Sequence, residues 1–118
     1  MRVPVRVFIV KPELKPTVQE RSLKAFLDLA ILCALTEHPM TGYEINRLFL
    51  KKHRVFVGPS AVYSKLAAIE QKGWIECVKN QTGKVYGLTE NGKEIIEKMA
   101  DITREIQEFI RIILKCHE

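Results

Sequence analysis

The chain has 118 residues, 47% of them hydrophobic and 28% charged, which is enough for one domain with a modest core and an appended element but not for two full domains. Lysine and arginine outnumber aspartate and glutamate by 19 to 14, a formal charge of +5, and this favours a polyanionic partner because cationic side chains neutralise phosphates and release condensed counterions. Cys33, Cys77 and Cys116 form no C-x-x-C pair, so neither a disulfide framework nor a zinc ribbon is indicated, and no metal or cofactor is expected.

Residues 1–17 read as an N-terminal arm. Val3, Val5, Val7 and Ile9 alternate with Arg2, Pro4, Arg6 and Phe8, a strand-like period of two that Pro4 restricts to an edge. The stretch is short, is broken by Pro4 and is stopped by Pro12, which makes a poor signal peptide. No apolar run reaches the roughly 18 residues of a membrane span. A cytoplasmic protein with no membrane partner is expected.

Residues 18–37 should form a helix that is apolar on nearly every side between Phe26 and Leu35. Such a helix is normally buried from more than one direction, here against its own core and a second subunit. His38 and Pro39 end it. Thr41 and Glu44 make a T-x-x-E capping box, after which Ile45, Leu48 and Phe49 carry a second helix to about Lys52. Beyond a connector at residues 53–58, Pro59 suits the first turn of a third helix and Ser60 can cap it. Val62, Leu66 and Ile69 are its buried face, and Gly73 is its left-handed stop. Residues 74–78 and 84–88 are short strand candidates, joined by a polar turn that ends in glycine, as in a hairpin. Trp74 and Leu88 are assigned to the core with the third-helix residues.

A last helix begins at Thr89. Along it Ile95, Met99, Ile102, Ile106, Phe109, Ile113 and Cys116 are spaced alternately by four and three residues, an a/d heptad seam. Ile96 and Ile110 widen that face beyond the needs of a two-stranded seam. The order of elements is that of a winged helix-turn-helix, mainly α with a small β-hairpin, over residues 18–92, followed by a dimerisation helix over residues 93–118.

Three segments, MTGYEI at residues 40–45, PSAVYSKLAAIEQKGWIE at 59–76 and VYGLTENG at 85–92, make the chain resemble the PadR family of winged-helix transcriptional regulators. The resemblance spans roughly residues 29–99. It implies a homodimer that binds double-stranded operator DNA, usually as a repressor and sometimes released by a small-molecule effector. With one helix after the wing, it points to the short form of the family, which dimerises through that helix and the first one. Two departures stand out. Pro59, Ser60, Ala61 and Val62 precede Tyr63 where the family usually has Gly and Ser or Thr, and the wing carries Gly83, Lys84 and Val85 where an arginine-rich strand is common.

The expected DNA contacts from the third helix are Ser60, Tyr63, Ser64 and Lys65. Hydroxyls and free N–H groups near a helix N-terminus suit phosphate, and Tyr and Lys reach phosphate or base edges. From the wing they are Asn80, Gln81, Thr82 and Lys84, and from the start of the second helix Tyr43. Each has a plainer reading: Ser60 as a cap, Tyr63 and Tyr43 as packing rings, Lys65 and the wing residues as solvated surface. Lys51, Lys52 and Arg54 form a basic cluster that either steers DNA or is simply solvated. The cysteines read as packing residues rather than oxidant sensors. Dimerisation falls to Ile95, Met99, Ile102, Ile106, Phe109 and Ile113. With no nucleophile elbow, H-E-x-x-H or Gly-rich phosphate loop, the chain is not expected to be an enzyme. Two other readings stand beside the regulator: a winged helix used as a protein-docking module in a larger assembly, and a dimeric ligand carrier.

Overall fold

The computed structural model describes residues 17–80 and 83–116. The N-terminal arm, with its expected edge strand, lies outside the described residues, as do Gln81 and Thr82 of the wing.

The first helical segment is two helices rather than one. Helix α1 (Val18–Ala25) is capped by Thr17, whose hydroxyl accepts from the Glu20 N–H at 3.0 Å. Helix α2 (Leu27–Ala34) follows a break at Phe26, where φ −116° and ψ 37° leave the helical range. No proline or glycine causes this break. It falls where the chain passes from a helix with no buried side chain to one that buries Leu27, Ile31, Leu32 and Ala34. The helix also stops at Ala34, and residues 35–37 form a turn instead of continuing to Glu37.

A strand the sequence did not announce comes next. Strand β1 (Met40–Thr41) is two residues long, too short for a period-two signal. Thr41 then caps helix α3 (Gly42–His53) with the full capping box: the Glu44 N–H donates to Thr41 Oγ1 at 3.1 Å and the Thr41 N–H to Glu44 Oε1 at 2.9 Å. Arg54 ends α3 in the left-handed conformation at φ 59°. Val55, in the connector, turns into the core.

Helix α4 (Pro59–Gln71) has Pro59 at its first position and Gly58, at φ 98°, as its N-cap, with no side-chain cap bond. Ser60 therefore does not cap it. It lies one residue beyond Pro59, already inside the helix, and the cap position falls on a residue without a side chain. The exit follows the expected pattern. Gly73 adopts φ 82°, its N–H donates to Glu70 O at 3.0 Å and the Trp74 N–H to Ile69 O at 3.1 Å, the paired bonds of a Schellman motif.

Strands β2 (Ile75–Asn80) and β3 (Lys84–Leu88) form the wing, and β1 adds to the other edge of β3, giving the antiparallel order β1-β3-β2. Cys77 faces Tyr86 while Lys79 faces Val85, so Val78 is the extra residue of a bulge. Helix α5 (Glu90–Glu97) starts at Thr89, whose hydroxyl accepts from the Gly92 N–H at 3.1 Å and donates to Gly73 O. With the Thr89 N–H donating to Trp74 O at 3.1 Å, the start of α5 is tied to the exit of α4. A Cβ on Gly92 would collide with the Trp74 carbonyl, so this packing requires glycine.

The last helix is also two. Lys98, at φ −96° and ψ 7°, separates α5 from helix α6 (Met99–Ile113). The heptad is thereby divided. Ile95 and Ile96 belong to α5 and pack against the subunit's own core, Met99 to Ile113 belong to α6, and Cys116 lies beyond the helix end.

The core joins Ile31 and Leu32 of α2, Leu35 just past its end, Ile45 and Phe49 of α3, Val62, Leu66 and Ile69 of α4, and Ile75 and Tyr86 of the sheet. Trp74 and Leu88 are partly buried against it, and Lys72 lies over the Trp74 ring at 4.7 Å. Among the described residues no polar or charged residue is buried. Cys33, expected to pack inertly in an apolar helix, instead opens onto a groove. Desolvation there raises its thiol pKa, which disfavours the reactive thiolate.

Candidate nucleic-acid interface

Burial of Val62, Leu66 and Ile69 fixes how α4 is rotated. The opposite side carries Ser60, Tyr63 and Ser64, all exposed. Lys65 stands apart from them, half-buried on the flank toward α2, in a hollow lined by Lys24, Leu27, Val57 and Ser64. The helix thus gathers three of its four expected contacts on one face, with Lys65 beside them.

Tyr63 is held by a residue from another helix. Gly42 opens α3, and a Cβ there would overlap the Tyr63 ring at Cε1 and sit 2.8 Å from Cζ. The absence of a side chain at Gly42 lets the ring lie against the α3 N-terminus while its outer half meets solvent, at 49% exposure. Tyr43, one residue on, is 64% exposed and so is not a packing ring. Arg47, one turn later, lies over the Tyr43 ring at 5.9 Å, and an Arg guanidinium so placed is attracted to the ring face. Tyr43, Arg47 and Tyr63 therefore share one surface across α3 and α4. Arg47 was missed in the sequence, although its i+4 spacing from Tyr43 was the signal for it.

Asn46 lines the same surface, and its Oδ1 is buried with no hydrogen-bond partner.

In the wing Asn80 and Lys84 are ladder partners at the tip of the hairpin and both are exposed; Lys79 is exposed beside them. Of the basic cluster at the end of α3, Lys51 lines a hollow with Arg47, while Lys52 and Arg54 face elsewhere. Lys52 pairs with Glu37 at 3.3 Å, and Lys52, His53 and Arg54 line the groove between the first two helices and α6. Among the described residues no three His, Cys, Asp or Glu side chains are grouped as metal ligands, and no helix is long and apolar enough to cross a membrane.

A polar face on α4 beside the N-terminus of α3, followed by a hairpin, is the arrangement of a winged helix-turn-helix. The model of the PadR-like transcriptional regulator family matches residues 31–98. The chain belongs to this family. Solved structures of family members and other regulators share the fold. A transcriptional regulator from Clostridium thermocellum is 20% identical with a TM-score of 0.70, covering 84% of this chain and 100% of that one. A PadR family transcription regulator from Clostridium difficile is 25% identical with a TM-score of 0.62, covering 75% and 98%. A PadR-like transcriptional regulator from Bacillus cereus is 22% identical with a TM-score of 0.61, covering 82% and 99%. Among curated proteins, an uncharacterized 37.1 kDa protein in transposon Tn4556 of Streptomyces fradiae is 30% identical over 73 residues, 61% of this chain. The chain spans about a fifth of the length of that relative.

Proposed function

We propose that this PadR-like regulator acts as a homodimeric repressor. Each subunit lays α4 in the major groove of a pseudo-palindromic operator, with the two reading heads about one DNA turn, roughly 34–36 Å, apart. The carrying observation is the two-sidedness of α4: Val62, Leu66 and Ile69 are buried on one side, while Ser60, Tyr63 and Ser64 stand exposed on the other beside Tyr43 and Arg47. Phosphate would be met by Ser60, Tyr63, Tyr43 and the helix N-terminus, and by Asn80, Lys84, Gln81 and Thr82 from the wing. Lys65 would reach it from the flank of α4.

Dimerisation is supported by what the single subunit leaves uncovered. On α6 Phe109 and Ile113 are 62% and 57% exposed. A groove of about 650 Å³ between the first two helices and α6 is lined by Leu23, Phe26, Ala30, Cys33, Met99 and Ile106. Apolar surface of this extent marks an interface, and α6 of a second subunit has the complementary face. Ile102 continues the seam between Met99 and Ile106. A small effector entering this groove would displace α1 or α6 and release the operator.

The test is fluorescence anisotropy of labelled random and promoter duplexes at low salt, with sedimentation to fix the mass of the protein. Saturable duplex binding by a dimer, weakening steeply as salt rises, is expected. Absence of saturable binding would overturn this reading in favour of a protein-docking module.

A further inference from the structure

Among the described residues, all the exposed large apolar side chains except Val18 and Val78 gather in two places. Five of them, Phe109, Ile110, Ile112, Ile113 and Leu114, lie on or just past the end of α6, and four, Tyr43, Leu50, Phe56 and Tyr63, surround one depression on the reading face. The depression holds about 420 Å³, with Pro59 at its edge and Arg47 at its rim. Phe56 is the least expected member. It is 63% exposed in the connector, three residues before α4 begins, while its neighbour Val55 is buried. The chain thus turns a phenyl ring outward at the entrance of the helix that would read DNA.

Hydrogen-bonding groups dominate the base edges of the major groove, and the apolar exception is the C5 methyl of thymine. We propose that the depression beside the α4 N-terminus reads thymine, taking its C5 methyl against Phe56 and Tyr63. This rests on the regulator reading above and extends it to base preference. The depression is several times larger than a methyl group. It also takes the C2′ methylene of the neighbouring deoxyribose, which lies next to that methyl along the strand. Arg47 at the rim meets the adjoining phosphate, so one contact positions the strand and the other reads it.

The experiment selects binding sites from a randomised duplex pool with the full chain, then replaces each thymine of the best site by deoxyuridine, which removes the methyl alone. At one thymine in each half-site the replacement weakens binding about fourfold, the value of one apolar carbon withdrawn from water. Phe56→Ala binds the thymine duplex more weakly and no longer distinguishes it from the deoxyuridine duplex. Because Phe56 is mostly exposed, the variant keeps its melting temperature, which is measured alongside. Equal affinity of the unmodified protein for thymine and deoxyuridine at every position overturns the proposal and leaves the depression to a protein or small-molecule occupant. A site selected without a fixed thymine overturns it equally. Failure to bind any duplex removes the regulator reading itself, an outcome distinct from binding that ignores the methyl.

Discussion

Gly42→Ala separates the folding role of the reading head from its binding role. The atoms nearest the new Cβ all belong to the Tyr63 ring, with Cζ at 2.8 Å and Cδ1 at 3.0 Å. Ordinary carbon contacts lie near 3.5–4.0 Å, so the ring must tilt outward by about 1 Å. Tyr63 is half-exposed and is free to do so. If the ring lost all its present contact, roughly 100 Å² of apolar surface at about 25 cal/mol per Å² would set an upper bound near 2.5 kcal/mol. Replacing glycine in a helix returns up to about 0.5–1 kcal/mol. The net effect on stability therefore lies between a gain of about 1 kcal/mol and a loss of about 2 kcal/mol, a fall in melting temperature of no more than about 15 °C. Binding should suffer more. A hydrogen bond from the Tyr63 hydroxyl to phosphate, worth about 1.5–3 kcal/mol when the acceptor is charged, would be broken by the displacement, a loss of about ten- to a hundredfold in each half-site. Anisotropy with a labelled duplex and a thermal melt measure the two effects. In a Tyr63→Ala background the space is open, so Gly42→Ala should there change neither. An equal loss of affinity with and without Tyr63 would refute the proposed coupling of the two helices.

Gly92→Ala provides the contrast, because its Cβ would fall on the Trp74 carbonyl, with Leu88 Cδ2 at 3.2 Å behind it. Backbone cannot swing aside as a surface ring can, so overpacking of about 1–3 kcal/mol is expected, seen by calorimetry as a melting temperature lower by roughly 4–8 °C per kcal/mol; an unchanged melt would contradict the packing described. Ile106→Lys places a charge in the groove that also holds Cys33 and Met99 and should give a monomer by sedimentation, whereas a persisting dimer would move the interface elsewhere. Lys84→Ala in the wing and Lys65→Ala beside α4 should each flatten the slope of log affinity against log salt by about one contact; a residue whose loss leaves the slope unchanged does not touch phosphate.

Much of the fold was legible because its signals are local. The capping box of Thr41 and Glu44, Gly73 at the end of α4 and the hairpin each act within a few residues, and the buried faces of α2 and α4 repeat at helical spacing. Elements governed by tertiary contact were not legible. Strand β1 exists through its pairing with Val85 and Tyr86, and two residues carry no pattern. Ser60 suited a cap by residue type, but Pro59 places the cap on Gly58. The basic run at the C-terminal end of α3 reads in sequence as one cluster, yet Lys52 turns to Glu37 and, with His53 and Arg54, to the groove. In the reading head the polar residues of α4 could be named from periodicity. The partnership of Gly42 with Tyr63 could not, since it joins residues 21 positions apart in the chain.

The two helix breaks answer a question that the sequence left open, namely how one small domain serves a core and a second surface at once. Both fall at the border of the core. Phe26 separates α1, with no buried residue, from α2, with four. Lys98 separates α5, whose Ile95 and Ile96 pack on the core, from α6, which buries nothing. A continuous helix would carry its apolar stripe on one nearly straight line. Each break lets the stripe change direction, so that α5 faces inward and α2 faces both the core and the open groove, whose other walls include α1 and α6. Of the two residues that widened the seam, Ile96 packs on the subunit's own core together with Ile95 of the seam, while Ile110 stays exposed on α6. In the proposed dimer, the spacing of the two α4 helices then depends on the angles at Phe26 and Lys98. Each angle falls at a single non-helical residue, which makes Phe26 and Lys98 the points where occupation of the groove would alter the distance between the reading heads.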